Sequence, residues 1–351
     1  MPVIDKREQG VNSLIVHMLG GLISLPHKVS DSECYVNGIE DILAWKGRSY
    51  ADHLLSVVGG MTSFSFLKYK RARPPNMVFW GTSTRYFVPN LERIIGFKQV
   101  LMEGSSSSNA LSKLKGFIDE GKPVVAGALD MYYLHYYPDL YRNRHVPIHY
   151  VLVVGYDDER RIFYIHDCGR ANVQEVPYED LQMALDVKVP GMSKKNTLRT
   201  FRLPSAIPSE LEVAFKGFRF KANQMLCPPV KIFGIPAMRR LSKEVLSWRD
   251  RESFEHMAMY ATTPPIVPES FENSHGMRHW QAAVLRDLAK RYDIDIWEDA
   301  SKLFEQSGEL IIQLCEAAPK QNNQRVAELL LRIADTEERA YHLLQRKPQL
   351  D

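Results

Sequence analysis

Residues 148–169 read IHYVLVVGYDDERRIFYIHDCG, and this stretch sets the fold. The apolar run Tyr150 to Val154 leads into a Gly155-Tyr156-Asp157-Asp158 turn region, and Ile162 to Ile165 leads back, the pattern of a β-hairpin. His149 stands at the start of the first predicted strand and Asp167 just past the end of the second. Antiparallel pairing brings those two positions to the same end of the sheet on neighbouring strands. An imidazole beside a carboxylate at a strand end is a pattern with chemical use, in which the pair orients and charges a third group.

Outward from the hairpin, CYVNGIEDILAWKG (34–47) predicts a helix with Val36, Ile39, Ile42 and Leu43 on its apolar side and Gly47 as its stop. MVFWG is a predicted strand, LERIIGF and NALSKLKGFIDEG predicted helices, KPVVAGALDM a strand, PYEDLQMALD a helix and LRTFRL a strand. GSSSSN (104–109) is the one low-complexity patch and suits a loop ending in a helix N-cap. Helices followed by antiparallel strands define the class as α+β. After Pro204 the pattern changes. Residues 206–239 read as a linker or irregular segment, and 240–351 as a helical domain in which Val326, Leu329, Leu330, Ile333, Ala340 and Leu343 mark one apolar face. The division expected is therefore 1–205, 206–239 and 240–351.

The chain has 351 residues, enough for two domains and a large core. A net charge of +3 argues against a general nucleic-acid binder. The four cysteines, Cys34, Cys168, Cys227 and Cys315, form no CxxC pair, which argues against a disulfide framework or a zinc site and for a reducing compartment, the cytoplasm. Phosphate loops of the GxxxxGK[ST] or GxGxxG type and an HExxH metal motif are missing. With no apolar run long enough to span a bilayer, no membrane partner is expected. VNSLIVHMLGGLISLP (11–26) follows mixed charges and has no cleavage-site pattern, so it reads as part of the folded protein.

Cys34 opens a predicted helix, where the helix dipole favours thiolate over thiol. A thiolate nucleophile needs a base, and the base needs a group that fixes its orientation. Cys34, His149 and Asp167 supply these in the papain-like order of cysteine, distant histidine, then a carboxylate or amide. Singly, a cysteine or histidine in an apolar element is more often core than catalytic; the three together shift the balance towards a site. His135, His145 and His166 compete as bases. His166 is expected to face the opposite side of the sheet from Asp167. Cys168 competes as nucleophile but has no helix start behind it.

SECYVNGIEDILAWKG, SVVGGMTSFSF and PIHYVLVVGYDDERRIFYIHDCG resemble the N-terminal domain of the butirosin biosynthesis protein H family across about residues 30–190, and FENSHGMRHWQAAVLRDLAKRYDI resembles the helical C-terminal domain that accompanies it. The resemblance implies a papain-like domain, with Cys34 as acyl-accepting nucleophile, His149 as base, Asp167 as its orienter and Gly59-Gly60 lining the site. It also implies transfer of an aminoacyl group from an acyl carrier protein to a small-molecule amine, with no cofactor beyond the phosphopantetheine the carrier brings. Oxyanion stabilisation is expected from the Cys34 backbone N–H with Asn37 or Ser32 as partner. A homodimer is compatible with this reading. The basic run KYKRAR (68–73) suits an acidic carrier, although a solvated face is the plainer explanation, and the aromatic stretches MYYLHYYPDLY and NMVFW suit either pocket lining or packing. Two other functions fit the same residues: a cysteine peptidase or amidase, with water as acceptor, and an inactive binding homologue.

Overall fold

The computed structural model describes residues 21–30, 33–262 and 275–346. They fall into two compact units, residues up to 49 with 97–205, and 50–96 with residues from 206 onward. The class is α+β, as expected. Most of VNSLIVHMLGGLISLP, together with Ser32, lies outside the described residues. Among the described residues no helix is long and apolar enough to cross a membrane.

The first unit is built on an antiparallel sheet whose strand order is Lys98–Met102, Leu198–Arg202, Val124–Leu129, His149–Asp157, Ile162–Asp167 and Arg170–Pro177. The 148–169 stretch does form the hairpin, with Leu152 opposite His166 and Val153 opposite Ile165. Continuing that register sets Asp167 beside Val151, two residues along from His149, so the two side chains are diagonal neighbours on one face. His149–Asp157 is a central strand, buried from His149 to Gly155, and this explains why VLVV is continuous rather than alternating. Helices Cys34–Trp45, Ser107–Asp119 and Tyr178–Leu185 pack on the sheet. Ser106 caps the second of these by accepting the Asn109 N–H, as the serine-rich patch predicts.

Helix Cys34–Trp45 is buried from Val36 to Leu43, with Ile42 packed among Val125, Ala128, Tyr150, Leu152 and Val154. It presses on the sheet at Gly38, where a Cβ would lie 2.9 Å from Val125 Cγ2 and 3.2 Å from Leu152 Cβ. Gly127 has φ +138°, and a Cβ there would lie 2.6 Å from the His149 carbonyl oxygen. Only glycine accepts both conditions, and the strand pairing shifts register at this point, next to His149. Residues 21–30 run as a strap along the sheet, tied by Ile23 N–H to Val154 O at 2.7 Å and Ser30 N–H to Cys168 O at 2.9 Å.

The second unit holds helices Glu210–Leu226, Gly234–Glu244, Arg251–Thr262, Arg278–Tyr292, Asp295–Ala317 and Asn323–Gln345. The expected apolar face of the last is buried at Val326, Leu329, Leu330, Ile333 and Ala340. Arg278 makes a bidentate ion pair with Glu337 at 2.7 and 3.0 Å, and Ser307 donates to the same carboxylate. Two expectations are corrected here. The segment 206–239 is mostly helix, because Ser209 and Glu212 form a capping box that starts helix Glu210–Leu226. Residues 50–96 belong with this unit rather than with the mixed half. Their strands Ser65–Lys68 and Asn76–Phe79 pair with each other, and Phe66 N–H bonds Ile232 O while Trp80 Nε1–H bonds Met257 O. These long-range bonds leave no trace in local composition.

Because the helix packs on the strands through a missing side chain, Gly38→Val is expected to lower stability by about 1–3 kcal/mol in urea unfolding. Unchanged stability would show that the helix does not press on Val125 and Leu152.

Candidate active site

Cys34 is the first residue of its helix and is partly buried. It lies at the end where unpaired backbone N–H groups concentrate positive partial charge. His149 begins its strand, 7% exposed, and Asp167 ends the neighbouring strand with no exposure. His149 Nε2 lies 2.8 Å from both Asp167 oxygens. With Nε2 held by the carboxylate, Nδ1 is the ring nitrogen left for Cys34, which is a hydrogen-bond partner of the ring. The structure therefore brings together the three residues the sequence singles out.

The electrostatics follow from burial. Burial alone would lower the His149 pKa, but the charges of Asp167 and Cys34 and their hydrogen bonds outweigh it and push it up to about 10. Burial works to raise the Asp167 carboxyl, but the His149 charge and hydrogen bonds from His149, Tyr136 and Cys168 hold it below its usual range. At neutral pH the pair is imidazolium and carboxylate. Tyr136 OH donates to Asp167 Oδ2 at 2.7 Å. Tyr137 stands edge-on to the His149 ring, its centroid 5.7 Å away, and the Arg170 guanidinium lies 4.5 Å over the Tyr137 ring.

The rivals take other roles. His166 lies on the far face and bonds Asp41 at 2.9 Å. His145 pairs with Asp130 at 2.6 Å and stacks on Tyr132. His135 rests edge-on to Tyr136 and Tyr141. Cys168 is buried, which pushes its thiol far up, with the Cys34 charge adding to the effect, so it is a poor nucleophile. Asn37, expected as an oxyanion donor, instead donates its amide to Lys28 O at 2.6 Å. Gly59 and Gly60 lie in the other unit, where a Cβ would meet Phe87 at 2.5 Å and Thr82 at 2.6 Å respectively, so packing accounts for both glycines.

Some neighbours of the site were not legible in the sequence. Glu40, on the Cys34 helix, is raised to about 7 by burial and the nearby Glu33 charge. Tyr136 sits in an aromatic run with no sign of which tyrosine meets the carboxylate. Among the described residues, two donor sets are close enough to hold a metal ion, His27 with Asp41 and His166, and His149 with Asp167 and Cys168. In each, the side chains already hydrogen-bond one another.

The protein is thus an α+β protein with cysteine, histidine and aspartate gathered at one end of an antiparallel sheet. Residues 33–168 match the family model described as butirosin biosynthesis protein H, N-terminal, and residues 179–344 match a domain of unknown function, DUF4872. The first match covers the part of the chain in which the sequence resembles that family. No curated protein matches it.

The pH dependence has a definite sign. His149 is raised on folding, so its contribution is complete below about pH 6.5 and is lost as pH rises towards 10. Asp167 is lowered, so its contribution holds above about pH 4 and is lost on acidification. Unfolding free energies across pH are expected to fall between neutrality and about pH 10 in the wild type and to lose that slope in Asp167→Asn. Equal slopes in the two proteins would contradict the ion pair.

Proposed function

We propose that the protein is a papain-like cysteine acyltransferase that moves an acyl group, an aminoacyl group by resemblance, from a carrier-protein thioester to a small-molecule amine. The observation that carries this reading is the buried His149–Asp167 pair with Cys34 hydrogen-bonded to the ring at a helix N-terminus. The family description names a butirosin biosynthesis protein, which supports a role in specialised-metabolite biosynthesis.

The Cys34 thiolate attacks the thioester carbon, and the Cys34 backbone N–H at the helix start meets the developing oxyanion. Collapse breaks the carbon–sulfur bond to the pantetheine arm, whose sulfur takes the proton of His149. The ring is then free of one of the two charges that raise it, because the acylated sulfur is neutral. Acylation thus turns His149 from an acid into a base when an amine must be deprotonated. The amine forms the carbon–nitrogen bond, His149 takes its proton, and Cys34 leaves as thiolate. Asp167 holds the ring throughout and keeps its charge.

Intact-protein mass spectrometry with acyl-thioesters on carrier proteins and on pantetheine mimics tests this. The expected result is an acyl adduct on wild type that Cys34→Ala lacks, released faster by candidate amines than by water. Release by water alone would make the protein a hydrolase. A Cys34 that neither acylates nor reacts with iodoacetamide would leave a binding homologue.

An acidic carrier would meet the basic run 68–73, where Lys68 is already paired with Glu244 at 2.9 Å. Charge reversal at Lys70, Arg71 and Arg73 is expected to raise KM for the carrier-bound donor but not for a free pantetheine thioester, an effect that salt screens. Equal KM values for the carrier-bound donor would remove this docking surface.

A further inference from the structure

Behind the candidate site lies a second buried cluster that the mechanism does not use. Asp41 is on the same helix as Cys34, seven residues on, or about two turns. Its Oδ2 accepts from His27 Nδ1 at 2.7 Å and from His166 Nδ1 at 2.9 Å, and its Oδ1 accepts the Lys28 N–H at 2.9 Å. His27 Nε2 donates onward to Arg170 O at 2.8 Å and lies 3.2 Å from Asp167 O. Asp41 is 1% exposed and His166 4%. The two imidazole rings stand 4.4 Å apart, tilted by 39°.

This one carboxylate joins three pieces of chain: the helix that carries Cys34, the strand whose next residue after His166 is Asp167, and the 21–30 strap. Apolar packing would hold helix to sheet without the desolvation cost of a buried charge. Directed hydrogen bonds add a fixed register, because slippage of the helix along the sheet breaks both imidazole contacts together. The donors also saturate one another at ordinary hydrogen-bond lengths, which fits a clamp better than an ion site.

Resting on the acyltransferase reading above, we propose that Asp41, bridging His27 and His166, is a positioning residue that sets the Cys34 sulfur against the His149 ring. Asp41 acts through the helix and strand it joins, and touches no reacting atom.

The test is the pH profile of Cys34 alkylation by iodoacetamide, resolved by peptide mass mapping so that the other cysteines do not interfere, in full-length wild type, Asp41→Asn, His166→Leu and His166→Gln. Asp41→Asn and His166→Leu are expected to slow the reaction near neutral pH by about tenfold or more. His166→Gln keeps a donor towards Asp41 and should restore most of the rate, which a purely structural defect would not allow. Circular dichroism and melting check that each variant folds; should Asp41→Asn not fold, the two His166 variants carry the comparison. Variant profiles that superimpose on the wild type would overturn the positioning role and leave the acyltransferase reading standing. A wild-type Cys34 that iodoacetamide does not label would overturn the acyltransferase reading and this inference with it. Stoichiometric transition metal in the purified protein, lost in Asp41→Asn, would also overturn it, making the cluster an ion site.

Discussion

An imidazolium and a carboxylate, both taken out of water at the end of two central strands, are what the first unit is arranged around. A buried charge left alone costs several kcal/mol, so each partner requires the other, and the surroundings must complete both. Asp167 has its partners in His149, Tyr136 and Cys168. Gly127 lets the neighbouring strand pass the His149 backbone. Gly38 lets the Cys34 helix lie close to the same strand pair.

Much of this was legible in the chain. The hairpin followed from two apolar runs around a turn, and its antiparallel sense alone puts His149 and Asp167 together. The Cys34 helix followed from apolar spacing and its glycine stop. Other features were not legible, because they depend on contacts between segments far apart in sequence. Residues 50–96 join the helical unit through backbone bonds to Ile232 and Met257, and nothing in their composition announces partners so distant. The His27–Asp41–His166 cluster draws on three segments far apart in sequence. The helix Glu210–Leu226 was the exception. Its Ser209–Glu212 capping box was present in the sequence, but the nearby prolines gave the stronger signal of a linker.

The two layers of polar contacts divide the work by face. On one face of the hairpin, His149 and Asp167 address the sulfur; on the other, His166 and Asp41 hold the helix. Successive strand residues point to opposite faces, so adjacent His166 and Asp167 serve both layers from one strand. The His149–Asp167 pair and the Asp41 cluster are thereby joined through a peptide bond rather than through a long relay.

The arrangement of the first unit rests on His149 being an imidazolium held by Asp167 at neutral pH. Nitrogen-15 NMR of the histidine side chains, assigned with a His149→Gln variant, measures this directly. The account predicts both ring nitrogens of His149 protonated at about pH 7, with titration near pH 10. A neutral His149 at that pH, titrating near the ordinary histidine value, would contradict it.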